Sequence, residues 1–200
     1  MITIGIPDVK SLVLSKNLIK TLLELGNLTV EVIDIKDYDI NNISADADVV
    51  ILVFTDKDHI TNNPLNILVL NAENNYVHQN RLMGLMRNAD YLIVDSDNRD
   101  LMNSLNFIRS TRSIMNFNGV LITCGFNAKA CVTTSSVIGS EYETIQVCIQ
   151  HSFRTINNKI IDEQEFSLNI SETSNDFNIF SILSGVISVL ICGVNIKNIS

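Results

Sequence analysis

The chain has no tryptophan, only 2 prolines and 8 glycines in 200 residues. So few prolines argue against disorder, and no internal repeat or low-complexity linker is visible. Positive charge is also thin: 14 Lys and Arg stand against 22 Asp and Glu, for a formal charge of −8 and a pI near 4.7. The basic residues form no run, and phosphate neutralisation needs them clustered, so a nucleic-acid partner is not expected.

Motifs of catalysis and metal binding are missing as well. Cys124, Cys131, Cys148 and Cys192 form no C-x-x-C, and each lies in an apolar segment, which predicts buried, reduced thiols and no metal site. His59, His78 and His151 show neither H-x-x-x-H nor H-E-x-x-H spacing. His78 falls at a predicted helix start and His151 within a predicted strand, so both read as structural or solvent-facing. No G-x-S-x-G occurs, and Ser135-Ser136 sits mid-strand, so nucleophilic catalysis has no anchor. After Met1 a strand-like run begins at once, without the basic and apolar regions of a secretory signal, and the expected location is the cytoplasm.

What is present is a packed globular composition, 46% hydrophobic and 18% charged, long enough for one domain with a full core. Residues 2–26 organise the rest: the apolar run ITIGI, the loop PDVKS, and a helical pattern to Gly26. Leu12, Leu14, Leu18, Ile19, Leu22, Leu23 and Leu25 make the stripe, Asp8 is the expected cap at its start, and Gly26 is the expected C-cap. LTVEVIDI, VVILVF, NILVLNA, YLIVDSD and GVLITC follow as strands, with helices expected over 76–87 and 101–115. Continuous apolar runs suit parallel strands covered on both faces. The connection over 55–65 is short for a crossover helix.

From Gly125 the rhythm changes. ACVTTSSV, TIQVCIQHSF and EFSLNI are β-branched runs with short polar turns at 139–143 and at Asn157-Asn158. The prediction is an α/β fold: a doubly wound, mostly parallel sheet over 1–124, then an antiparallel extension and a closing apolar helix over 125–200. Ser174 is the expected cap of that helix, which begins near Asn175. Residues 177–194 carry no charge and nearly match a membrane span. Asn178, Ser181, Ser184, Gly185 and Ser188 interrupt them and flanking basic anchors are lacking, so a buried helix is the better reading.

Two places could hold chemistry. Gly5, Lys10 and Ser11 lie where α/β domains hold phosphates, with Lys10 to neutralise the anion and Ser11 to reach Mg²⁺. A phosphate cradle needs glycines so that backbone amides converge, yet Ile4 and Val9 stand where the Walker pattern wants them. An ordinary strand-to-helix turn is the favoured reading. Asp95 and Asp97 end a strand at the carboxyl edge of the sheet, where ligands bind. They could hold a metal or act on a water, but Asp97, Asn98 and Asp100 equally suit caps of the next helix, which is preferred.

Four stretches together resemble the central, ATP-binding domain of the Mur ligases and their folylpolyglutamate relatives. YLIVDSDN at 91–98 is similar to the family strand ending N-A-D-D, with Asp95, Ser96 and Asp97 in step. GVLITCGFNAKACVTTSSV at 119–137 is similar to the T-Y-G-F segment and the strand after it. The meander occupies the place of the family's antiparallel extension, and Asn175 and Asn178 resemble its H-N-x-x-N entry to a helix ending at a glycine, here Gly193. Departures are as informative. Of G-T-x-G-K-[ST] only Lys10 and Ser11 are in step. E-x-S-S has no counterpart in ILVFTDKDH unless Asp56 or Asp58 substitutes, and T-N-x-x-x-D-H is reduced to Asn71, Glu73 and His78.

The resemblance implies the fold. Its departures point to a noncatalytic binding or regulatory module, with no cofactor expected and ATP with Mg²⁺ as the alternative for a ligase fragment completed by a partner chain. A protein partner or self-association through the extension's exposed edge is expected, and a membrane is not.

Overall fold

The computed structural model describes residues 1–9, 12–35, 44–55, 64–70, 84–110, 117–138, 143–170 and 178–196. Six parallel strands come first: β1 (Ile2–Pro7), β2 (Val30–Asp34), β3 (Val49–Phe54), β4 (Leu65–Leu70), β5 (Ala89–Asp95) and β6 (Val120–Cys124). Then come β7 (Val132–Ile138), β8 (Glu143–Ile149), the short pair β9 (Phe153–Arg154) and β10 (Ile160–Ile161), and β11 (Gln164–Ile170). Three helices have described bounds: α1 (Val13–Leu25), α2 (Arg99–Ser110) and α3 (Ile179–Ile191). A helical turn also occupies 84–87, within the helix expected over 76–87.

Nine strands form one sheet in the order β11-β8-β7-β6-β5-β4-β1-β3-β2. β7 joins the parallel part through a single pair, Cys124 with Val132, and then runs antiparallel to β8, as β8 does to β11. The predicted doubly wound sheet with an antiparallel extension is what forms. A register shift between Thr134 and Ser136 puts an irregularity in β7 where the Ser135-Ser136 pair lies.

The apolar runs explain why the sheet is covered twice. Every residue of β3 is buried; Val49, Ile51 and Val53 face one core, Val50, Leu52 and Phe54 the other, as side-chain alternation requires. α1 and α3 cover the first face, while Leu101 and Leu105 of α2 and Leu85 and Met86 cover the second. Each buried Leu, Ile, Val or Phe contributes about 1.5–3 kcal/mol.

α3 is buried at all 13 of its residues and lies along α1. Ser15 Oγ is 3.0 Å from Ser184 Oγ. Ser184 Oγ donates to the Ser181 carbonyl at 3.1 Å, and Ser188 Oγ to the Ser184 carbonyl at 2.8 Å. One hydroxyl has one proton, so Ser15 is the donor to Ser184. A Cβ on Gly185 would stand 3.0 Å from Leu18 Cδ2. Of the residues that interrupt the segment, Ser184 and Gly185 are thus contacts between the two helices and Ser188 bonds back along its own helix, and no described helix is long and apolar enough to cross a membrane.

Local boundaries differ from the sequence expectations for identifiable reasons. The N-cap position of α1 is Leu12, without a side-chain cap bond, and not Asp8. Gly26 is the C-cap at φ −78°, and the left-handed residue is Asn27 at φ 62°. What fixes Gly26 is close packing: a Cβ there would meet Val194 Cγ1 at 2.8 Å. α3 is capped by Asn178, whose Oδ1 accepts from the Phe180 amide at 2.9 Å; Ser174 and Asn175 lie outside the described residues. α2 begins two residues before the expected start, and residues 111–116 are not described. His151 follows β8 and is exposed. Cys124 and Cys192 are buried thiols as expected, whereas Cys131 and Cys148 are only half-buried, and all four are free.

Candidate functional site

β1 lies between β3 and β4, and the chain leaves it through α1 for the β2 edge, while later strands build toward the opposite edge. This is the topological switch at whose carboxyl end doubly wound sheets bind ligands. Gly5, however, is inside β1, paired with Leu52 and Leu68. A Cβ on it would stand 2.8 Å from Leu65 Cδ1 and 3.4 Å from Leu68 Cδ1, so the strand's glycine makes room for the core behind the sheet.

Beyond it, Pro7 has no amide proton. The Asp8 amide donates to the Phe54 carbonyl at 2.6 Å, that of Val9 to the Pro7 carbonyl at 2.9 Å, and that of Leu12 to the Val9 carbonyl at 3.0 Å. Val9 packs against the α1-side core. An anion nest needs amides aimed outward at one point, and these three are turned to protein carbonyls. Lys10 and Ser11 lie outside the described residues, as do Asp56, Asp58, His59, Asn71, Glu73 and His78.

Asp95 and Asp97 are one strand removed from this loop, with β4 between β1 and β5. Asp95 Oδ1 accepts from the Asp97 amide at 2.9 Å. The Asp97 carboxylate accepts from the Phe126 amide at 2.6 Å through Oδ2 and from the Asn127 amide at 2.9 Å through Oδ1. Ser96 adds a second tie, its amide at 2.9 Å and its hydroxyl at 3.0 Å both donating to the Cys124 carbonyl. Gly125, at φ 145°, lets the loop pass: a Cβ would lie 2.5 Å from Asp97 Oδ2. The cap of α2 is Asn98, whose Oδ1 accepts from the Leu101 amide at 2.8 Å. The turn after β5 thus clamps the turn after β6. Burial, with the charge of Asp97 added, raises the Asp95 carboxyl above the usual range, against the pull of the Asp97 and Asn98 amides. Burial also drives the Cys124 thiol well up, reinforced by both aspartates. Among the described residues no three His, Cys, Asp or Glu gather as metal ligands.

Two cavities open away from this turn network. A cavity of about 390 Å³ lies between the β9–β10 hairpin, the start of β11 and the residues after α3, with Phe166, Leu190 and Ile196 on its floor and Lys159, Asp162 and Gln164 at its mouth. A second, of about 420 Å³, opens beside Asp90, Tyr91 and Val120 at the starts of β5 and β6. The hairpin is a firm wall. The Thr155 amide donates to the Lys159 carbonyl at 2.8 Å, the Lys159 amide to Thr155 Oγ1 at 3.1 Å, and Asn158 turns at φ 60°. Its Ile156 amide donates to the Ile191 carbonyl at 3.0 Å, pinning it to the end of α3. Two-residue strands carry no readable period, so only the Asn157-Asn158 turn signalled this element. The roles of Ser96 and Asn127 had no sequence signal, because their partners are about 30 residues away in the chain.

No protein-family model matches the sequence, and no curated protein matches it. Solved structures do match in fold. One is a UDP-N-acetylmuramoyl-L-alanyl-D-glutamate–2,6-diaminopimelate ligase, at a TM-score of 0.68 and 11% identity over 98% of this chain. Another is the apo form of L. casei FPGS, a folylpolyglutamate synthase, at 0.59 and 9% over 99%. The chain spans 44% of the first and 61% of the second. Its fold is Mur-ligase-like, and at such identities the likeness is one of fold alone.

Proposed function

We propose that this chain is a noncatalytic Mur-ligase-like domain serving as a binding or regulatory module in the cytoplasm. The supporting observation is the turn after β1. Pro7 offers no donor, and the Asp8, Val9 and Leu12 amides are taken by carbonyls. Val9 is drawn into the core, and Gly5 is a packing glycine within the strand. Phosphoryl transfer depends almost wholly on a phosphate cradle and positioned Mg²⁺, and the three described amides of this turn are spent on carbonyls. Asp97, a candidate ligand group at this edge, holds backbone amides with both its oxygens.

The test is thermal unfolding with and without millimolar Mg-ATP. The expected result is an unchanged melting temperature. A genuine ligand at a hundredfold excess over its Kd would add about 2.7 kcal/mol, or about 5–10 °C for a chain of this size; a rise of that kind overturns the reading. A second reading is favoured by the coverage of the ligase structure, 44%: a divergent nucleotide-dependent ligase fragment completed by another chain, with Lys10 and Ser11 holding the phosphates. It requires that Lys10→Ala abolish nucleotide binding.

A further inference from the structure

Resting on the binding-module reading, we infer that the outer edge of β11 takes an extended, basic segment of a partner protein as an added strand, with one apolar side chain of that segment seated in the neighbouring cavity. Three observations converge on this. First, β11 ends the nine-stranded sheet and, among the described residues, pairs only with β8, through seven consecutive positions. An unpaired strand edge is a template for main-chain hydrogen bonding. Second, the 390 Å³ cavity opens beside the first residues of that strand, with an apolar floor of Phe166, Leu190 and Ile196 and with the exposed Ile160 at its rim. That volume suits a buried anchor side chain, the element that gives strand addition its specificity. Third, Asp162, Glu163 and Glu165 are exposed around the same corner and outnumber the exposed cations nearby, Lys159 and Arg154, the latter paired across the hairpin from Ile160.

The charges also choose between occupants. A second copy of this chain, at −8 overall, is disfavoured by net charge, since both molecules carry the same sign. Acidic groups on an open edge repel like strands and attract basic ones, so the feature that guards against self-pairing selects a partner of opposite sign. On β11 itself the outward-facing Glu165, Ser167 and Asn169 alternate with the buried Phe166 and Leu168. An added strand would therefore continue an apolar row on one face and meet acid on the other.

The experiment uses the whole chain and a capped heptapeptide, acetyl-KVKLKVK-amide, with acetyl-EVELEVE-amide as its charge-reversed control. The expected result is binding of the basic peptide with Kd of about tens of micromolar at low salt, protection of the amides of 164–170 from hydrogen exchange, and weakening of about tenfold in 0.5 M NaCl. Glu163→Lys with Glu165→Lys, both exposed, weakens it by about tenfold or more, and Ile160→Ser by a few-fold, both variants keeping the parent melting temperature. No binding at 1 mM peptide, equal binding of the acidic control, or protection confined to other strands overturns the inference. Stabilisation by Mg-ATP would instead overturn the noncatalytic reading, so the two failures are distinguishable.

Discussion

The turns at the carboxyl end of the sheet and the two cavities differ in how much they leave open. At the carboxyl end, where doubly wound sheets hold ligands, amides and carboxylates are turned on one another: Asp8 to Phe54, Val9 to Pro7, Asp97 to Phe126 and Asn127. Away from these turns, two cavities of about 390 and 420 Å³ open, by the β9–β10 hairpin and at the starts of β5 and β6, while exposed apolar side chains occur in both regions, Val13 and Phe126 beside the carboxyl end and Met1, Leu25 and Val120 at the amino end. Hydrogen-bonding groups satisfied internally are lost to ligands, so the described amides and carboxylates of these turns hold the chain to itself.

Substitutions can break that contrast. The largest effect is expected at Asp97. Asp97→Ala leaves the Phe126 and Asn127 amides without their charged acceptor and lowers stability by about 1–2 kcal/mol, reduced from a buried value by the exposure of the turn. Urea unfolding measures this, and unchanged stability would mean that the turn is no brace. Gly5→Ala follows, at about 1 kcal/mol, since its Cβ must displace the buried Leu65 side chain from 2.8 Å. Thermal unfolding should show that loss with no change in response to Mg-ATP; a loss of nucleotide binding on this substitution would restore the glycine to a phosphate loop.

The smallest effect concerns pH. The Asp95 carboxyl is raised in the folded chain, chiefly by burial, so the folded state holds the proton more tightly than the unfolded state. Stability therefore falls as pH rises from the ordinary carboxyl range through the raised folded value. Asp95→Asn keeps an acceptor for the Asp97 amide and removes the buried charge. It should melt slightly higher at pH 7 and the same at pH 3. A lower melting temperature at pH 7 would show that the charge, and not merely the acceptor, holds the turn.

Much of this architecture is legible in the sequence. Runs such as VVILVF announce strands covered on both faces, and the change of rhythm at Gly125 marks the antiparallel extension, because side-chain period and burial are local properties. Residues that act across the sheet are less legible. Asp97 reads as a helix cap or a ligand, and only the approach of Phe126 and Asn127 reveals the clamp; the cap is its neighbour Asn98. Gly5 reads as a remnant of a phosphate loop because nothing in ITIGI foretells Leu65 behind it. The cavity by the β9–β10 hairpin is assembled from β11, the hairpin and the end of α3, and no single stretch carries its signature.

The serine contact between α1 and α3 joins residues 169 positions apart, and it bears on how the molecule comes into being. Five of the six parallel strands present an apolar face to α1 and α3, and only α1 is available early in synthesis. Until Ile191 has left the ribosome, the centre of that face has no lid. The first 124 residues alone leave that apolar face short of α3, however complete their strand order, and a nascent chain stopped before α3 is expected to remain exposed to chaperones and to aggregation.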